Sequence, residues 1–206
     1  MGRSNHQEIE VKFLIKEPAR FEETLTRKGG KLVQSKVYEI NFHFDSEDHR
    51  LQTQNKILRL RKDISSMLTY KGPTEIDDGI QIREELEIPI EDIQLTTKIL
   101  ESIGFQIVHI YEKFRTIYAF KDFLVMIDEL PIGIFLEIEG KNPILIKMFV
   151  DSIGIEWNRN IPFGYFAIFQ KLCNLKGRQV GNMEFDDKFS SESDLEIIGI
   201  LPADIH

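Results

Sequence analysis

Polar and apolar residues alternate strictly from Glu8 to Phe13 in the stretch "QEIEVKFLIK". Side chains point to opposite faces along a strand, so Glu8, Glu10 and Lys12 share one face and Ile9, Val11 and Phe13 the other. The same period recurs down the chain. "LRLR" sets Arg59 and Arg61 against Leu58 and Leu60, and "LTYKG" sets Thr69 and Lys71 against Leu68 and Tyr70. "IREELEI" sets Arg83, Glu85 and Glu87 against Ile82, Leu86 and Ile88, with Glu84 interrupting the apolar side. "YEKFRTI" sets Lys113 and Arg115 against Phe114, "MIDE" carries Asp128, and "FLEIEG" sets Glu137 and Glu139 against Leu136 and Ile138.

Between these strands lie other elements. "EPARFEETLTRKGG" predicts a helix, with Pro18 in its first turn and Gly29-Gly30 at its end. "KLVQSKVYEINFHFD" predicts one or two strands, "SEDHRLQTQN" a polar connection and "TEIDDG" a loop. "EDIQLTTKILESIG", "PILIKMFVDSIG" and "PFGYFAIFQKLC" predict three further helices. Helix, glycine and long strand pair occur twice, after Glu17 and after Glu91, which suggests two similar halves. From about Lys176 the chain turns polar and acidic. Residues 1–175 therefore read as one domain and 176–206 as a flexible tail, whose end "IIGILPADIH" is apolar enough to dock.

Composition narrows the classes. The net charge of -8 argues against a general nucleic-acid binder but leaves room for a local basic pocket. The single cysteine, Cys173, excludes an intrachain disulfide, and a reduced, cytoplasmic setting is expected. No apolar run reaches membrane-spanning length, and the N-terminus lacks a hydrophobic signal segment. A monomer or homodimer is expected.

The charged faces are balanced: Lys12, Arg59, Arg61, Lys71, Arg83, Lys113 and Arg115 stand beside Glu8, Glu10, Glu85, Glu87, Asp128, Glu137 and Glu139. One arrangement is an open antiparallel sheet with its charge in water. Another is a closed barrel with the charge inside and helices on its apolar exterior. Cationic doublets on adjacent strands would repel on an open face, and a bound polyanion explains them. Acidic pairs at the same spacing are oxygen ligands suited to Mg²⁺ or Mn²⁺. The structural alternative is that Arg59 and Arg61 pair with Glu85 and Glu87. His43, His49 and His109 lack metal-ligand spacing and read as structural or surface; Tyr38, Phe42, Phe44, Tyr118 and Phe120 read as core.

"EIEVK" resembles the E-x-E-x-K signature of the CYTH superfamily, the triphosphate tunnel metalloenzymes. The match continues in order through "LRLRK", "LTYKGP", "REELE", "YEKFRTIY", "IDELPIGIFLEIEG" and "FGYFAIFQKL", from Gln7 to Leu172. The resemblance implies an α+β fold, an eight-stranded antiparallel barrel forming a charged tunnel and surrounded by helices, and a Mg²⁺ or Mn²⁺ cofactor. It implies metal ligands at Glu8, Glu10, Glu137 and Glu139, with Asp128 beside them. It implies triphosphate ligands at Lys12, Arg59, Arg61, Lys71, Lys113 and Arg115, with Arg83 added less securely. Glu85 and Glu87 match acidic positions that serve a second metal or orient water, so Lys12, Glu85 and Glu87 are the expected catalytic groups.

The expected activity is metal-dependent hydrolysis of a triphosphate: tripolyphosphate, thiamine triphosphate or a nucleoside triphosphate. The alternatives are a class IV adenylyl cyclase, making cyclic AMP and pyrophosphate from ATP, and a module that binds polyphosphate or a nucleotide without turnover. The cyclase needs base contacts that the doublets do not supply, and a plain anion binder has no use for so many carboxylates.

Overall fold

The structure, a computed structural model, describes residues 6–185, Phe189 and residues 192–204. Its strands are β1 (Gln7–Ile15), β2 (Lys31–Asp45), β3 (Ile57–Lys62), β4 (Ser66–Lys71), β5 (Glu75–Asp77), β6 (Ile80–Pro89), β7 (Gln106–Ala119), β8 (Phe123–Leu130) and β9 (Gly133–Gly140). They are joined in the order β1-β9-β8-β7-β2-β3-β4-β6-β5, and β6 also pairs with β1. All strands but β5 therefore close into an eight-stranded antiparallel barrel. Closure decides between the two arrangements open to the sequence. It gives the alternating strands an inside, and the charge takes it.

The apolar faces point outward and are covered. Helix α1 (Pro18–Arg27) buries Phe21 and Leu25, and α4 (Pro143–Ser152) buries Ile146, Phe149 and Val150. Both pack with Ile9, Val11, Phe13 and Ile15 of β1 in one cluster. Each such side chain stabilises the fold by about 1.5–3 kcal/mol on burial. Helix α3 (Ile93–Ser102), capped by the Asp92 carboxylate on the Leu95 amide, sets Leu100 against Phe44 and Leu60 on the opposite side.

Helix α5 (Tyr165–Leu175) plugs one end of the barrel. There the inward faces change character: Lys12 is followed by Leu14, Asp128 by Leu130, Lys113 is preceded by Tyr111, and Glu137 by Phe135. These four apolar and aromatic residues receive Tyr165, Ile168, Phe169 and Leu172 of α5.

Three local features depart from the expectations. The predicted loop "TEIDDG" contains β5, because Asp78 and Gly79 adopt φ of 46° and 83° and close a two-residue hairpin from Asp77 to Ile80. A Cβ on Gly79 would also come within 2.0 Å of Asn160. The polar connection holds a short helix, α2 (Arg50–Thr53), pinned by Asp45 accepting from the Leu51 and Gln52 amides at 2.9 Å. Tyr38, expected in the core, is 42% exposed.

The apolar end of the C-terminal segment does dock. Helix α6 (Glu192–Ile197) leads to Pro202, which bridges to Leu14, and the Ala203 amide donates to the Leu14 carbonyl at 2.9 Å. The Asp204 carboxylate accepts from the Lys16 and Glu17 amides at 2.9 and 3.1 Å. Part of the segment expected to be flexible, 186–188, 190–191 and 205–206, lies outside the described residues.

Candidate active site

Every charged residue singled out from the strand pattern lines one cavity of about 350 Å³ inside the barrel, except Asp128. Register explains the convergence. Lys12 faces Glu137 across β1 and β9, Glu8 faces Arg83 across β1 and β6, and Lys71 faces Glu85 across β4 and β6.

One wall is acidic. Glu8 accepts from Lys71 Nζ at 2.6 Å and from Arg83 Nε at 2.7 Å. Burial pushes its carboxyl up, but Lys71 and then Arg83 overcome this and hold it down at about 2. Glu10 lies 3.6 Å from Lys12 Nζ and 3.9 Å from Arg83 Nη2. Glu139 has the opposite balance. Burial and then the like charges of Glu8 and Glu85 push it up to about 7, and it makes no ion pair among the described residues. Glu85 is 3.4 Å from Lys71, and burial together with its acidic neighbours raises it.

The facing wall is basic. Arg59 reaches the Tyr111 hydroxyl at 3.4 Å, the Thr69 hydroxyl at 3.5 Å and Glu87 at 3.9 Å. Arg61 lies 3.5 Å from Glu87, whose other oxygen accepts from Thr69 Oγ1 at 2.7 Å. The structural pairing of arginines with acids thus forms with Glu87, while Glu85 pairs with Lys71. Lys12 is fully buried, donates to Glu137 and sits 4.5 Å over the Tyr165 ring. Burial would lower its ammonium, but Glu10 and Glu137 hold it above the usual lysine range.

Asp128 lies behind this wall. It accepts from Lys113 at 3.0 Å, from Arg115 Nε and Nη2 at 2.6 and 2.5 Å, and from the Tyr165 hydroxyl at 2.9 Å. Three of these donors converge on Oδ2 and the fourth takes Oδ1.

Pattern reading missed Glu39, Tyr111 and Tyr165. Glu39 is buried, pairs with Lys113 at 3.3 Å and accepts from Asn41 at 2.9 Å. The signal was available: Glu39, Asn41, His43 and Asp45 alternate with Ile40, Phe42 and Phe44 as strictly as the other strands. Tyr165 is buried among carboxylates, and burial followed by Asp128 and Glu137 pushes its phenol well up, so it donates as a neutral group.

The donor set fits a divalent cation at the acidic wall. Glu139 carries no donor, and Glu8 spends two of its sites on Lys71 and Arg83. A cation there would relieve the repulsion that raises Glu139. Among the described residues no three acidic, histidine or cysteine side chains converge as a ready cage. Mg²⁺ commonly binds through one or two carboxylates plus substrate phosphates, so a preformed cage is not required.

Comparison with known proteins agrees with this geometry. The profile of the CYTH domain matches residues 6–154. A protein of Methanocaldococcus jannaschii, provisionally named an adenylate cyclase, is 34% identical over 134 residues, covering 64% of this chain and 75% of its own. Among solved structures, the PH1819 protein of Pyrococcus horikoshii superposes with a TM-score of 0.66 at 24% identity, over 83% of this chain and 99% of that one. A Hippeastrum protein, described as an adenylyl cyclase candidate with a dominant triphosphatase activity, gives a TM-score of 0.60 at 19% identity, over 84% and 97% of the two chains. The chain belongs to the CYTH domain family, whose members are triphosphate-binding enzymes, generally metal-dependent, and bear both adenylyl cyclase and triphosphatase names.

Proposed function

We propose that this protein hydrolyses a triphosphate with the help of Mg²⁺ or Mn²⁺. The observation that carries the reading is the cavity itself: a closed barrel in which seven basic and six acidic side chains face each other across about 350 Å³. Phosphoryl transfer asks the protein mainly for positioning and charge neutralisation. Arg59, Arg61 and Arg115 offer planar donor forks to phosphate oxygens, and Lys12, Lys71 and Lys113 offer point charges. Glu8, Glu10 and Glu139 are the carboxylates that would hold a metal. When bound, the ion supplies charge neutralisation on the phosphate oxygens.

Asp128, expected beside the metal, is better used as a positioning group. It accepts from Lys113, Arg115 and Tyr165 together and so orients all three. Glu137 ties Lys12 to Arg115 in the same way. Glu85 is the group we place on the attacking water. Its raised pKa brings it toward the range where a carboxylate accepts a proton usefully. Glu87, held by Thr69 and Arg61, is the weaker candidate.

The cyclase reading is favoured by the name of the Methanocaldococcus relative. The Hippeastrum protein, described as a cyclase candidate with mainly triphosphatase activity, supports hydrolysis instead. Products decide between them. Purified protein incubated with tripolyphosphate or ATP, each with Mg²⁺ or Mn²⁺, is expected to release phosphate only with metal. The Glu8→Gln/Glu10→Gln variant is expected to lose that release while keeping its circular dichroism spectrum. Cyclic AMP as the main product would replace hydrolysis with cyclisation, and a folded protein that turns over neither substrate would end the hydrolase reading.

A further inference from the structure

One corner of this acidic chain is basic and aliphatic at once. It forms where α1 hands over to β2. Arg27 ends α1, Lys28 follows it and Lys31 opens β2. Across the ladder Lys31 faces Ala119, and the turn after β7 carries Lys121. The two segments sit tightly together, since a Cβ on Gly30 would come within 2.7 Å of the Phe120 ring. All four cations are exposed. The exposed acids nearest them in sequence, Glu23 and Asp122, form no ion pair with any of them among the described residues. Elsewhere on the surface Lys36, Lys147 and Lys176 are tied to Glu129, Asp78 and Asp194 at 2.7, 2.7 and 2.8 Å. Like charges gathered without counter-charges are a binding surface for an anion.

The aliphatic part says which anion. Leu32 and Val33 follow Lys31 directly and are 53% and 59% exposed. Strand β3 joins β2 only from Ile40 onward, so this part of β2 has an open edge on that side. A register shift between Leu32 and Gln34 takes Val33 out of the ladder with β7. A bulged edge is a poor template for a further strand. Two aliphatic side chains also fall far short of the roughly 800 Å² that a stable protein partner covers on each side. A nucleic-acid backbone would meet the cations but offer the aliphatic pair nothing. An anionic lipid surface answers both: its headgroups meet the cations, and Leu32 and Val33 enter the boundary between headgroups and acyl chains.

The corner also adjoins the tunnel. Lys31 pairs with Ala119, Ala119 pairs with Leu124, and Leu124 lines the cavity.

We propose that this corner docks the protein on an anionic membrane surface, with Arg27, Lys28, Lys31 and Lys121 on the headgroups and Leu32 and Val33 inserted between them. The attachment is peripheral, since no helix among the described residues is long and apolar enough to cross a membrane. It is independent of the triphosphatase reading. The net charge of -8 opposes it beyond the corner, so binding is reversible and sensitive to salt.

The test is cosedimentation with vesicles. Wild type is mixed at about 0.1 M salt with phosphatidylcholine vesicles and with vesicles carrying about 30% phosphatidylserine. It is expected to sediment only with the phosphatidylserine vesicles and to be released at about 0.5 M salt. Lys28→Glu/Lys31→Glu is expected to lower the partition coefficient at least about tenfold. Leu32→Ser/Val33→Ser keeps the charge and is expected to lower it about tenfold as well. Both pairs of changes lie on exposed side chains outside the tunnel, so the urea midpoint is expected to stay at the wild-type value. Folded wild type that leaves phosphatidylserine vesicles in the supernatant, or sediments equally with both kinds, would overturn the proposal. So would full binding by the glutamate variant. Full binding by the serine variant would make the corner a patch for any polyanion and overturn its assignment to lipid.

Discussion

Glu39 shows how much one side chain can owe to its surroundings. It is 1% exposed, and burial alone would raise its carboxyl. Lys113, then Arg115 and Arg59, reverse the sign and hold it at about 2. A depressed carboxylate stabilises the fold above its unfolded pKa near 4.5, and that contribution is lost as pH falls toward 2. The shift corresponds to about 3 kcal/mol at neutral pH, as an order of magnitude. Glu39→Gln is therefore expected to be less stable than wild type at pH 7, with the gap closing progressively below pH 4.5. Urea unfolding at a series of pH values measures it, and a gap independent of pH would rule out the charge as the cause. The members of the charge network were largely legible in the sequence, because their doublets sit at strand spacing. Their pairing was not. Which lysine meets which acid depends on register between strands far apart in the chain, as with Lys12 and Glu137.

At the scale of elements, strand and helix patterns were legible where periodicity was long. The helix–glycine–strand unit recurs in α1–Gly29–β2 and α3–Gly104–β7, both glycines take positive φ, and β2 and β7 pair along most of their length. The Asp78-Gly79 hairpin was written in the sequence but hidden by the polar residues around it. The plug was hidden for another reason. The switch from Lys12 to Leu14, or from Asp128 to Leu130, looks like ordinary variation until closure brings four strands to the same level. Helix α5 fills that level, with Leu172 fully buried against it. Leu172→Ala is expected to lose about 2–5 kcal/mol, as large-to-small changes in packed cores do. It is expected to do so while leaving the β-rich far-ultraviolet spectrum intact. A loss under 1 kcal/mol would mean that α5 rests on the barrel end without sealing it.

The whole molecule has to bring a polyanion into a chain that is itself negative, at a net charge of -8. The tunnel answers part of this, since its seven basic side chains face inward. Yet the tunnel's own charges are close to balanced, because its cations are paired with its acids. A triphosphate must therefore pull Lys71 and Arg83 away from Glu8, or Lys12 from Glu137. That exposes carboxylates with no counter-charge, in a place where unpaired buried charge is costly. A divalent cation held by Glu8, Glu10 and Glu139 would supply the counter-charge those acids lose. Metal and triphosphate should then bind as mutual effectors, each raising the affinity for the other by the same factor, as linkage requires. Tripolyphosphate titrated into the chelator-treated protein is expected to bind at least about tenfold more weakly than in saturating Mg²⁺, a coupling of ~1.4 kcal/mol or more. Mg²⁺ titrated with and without tripolyphosphate, corrected for the ion's own binding to phosphate, should return the same factor. Equal triphosphate affinity with and without metal would show that the basic wall suffices alone, and would shift the acidic wall from binding to some other task.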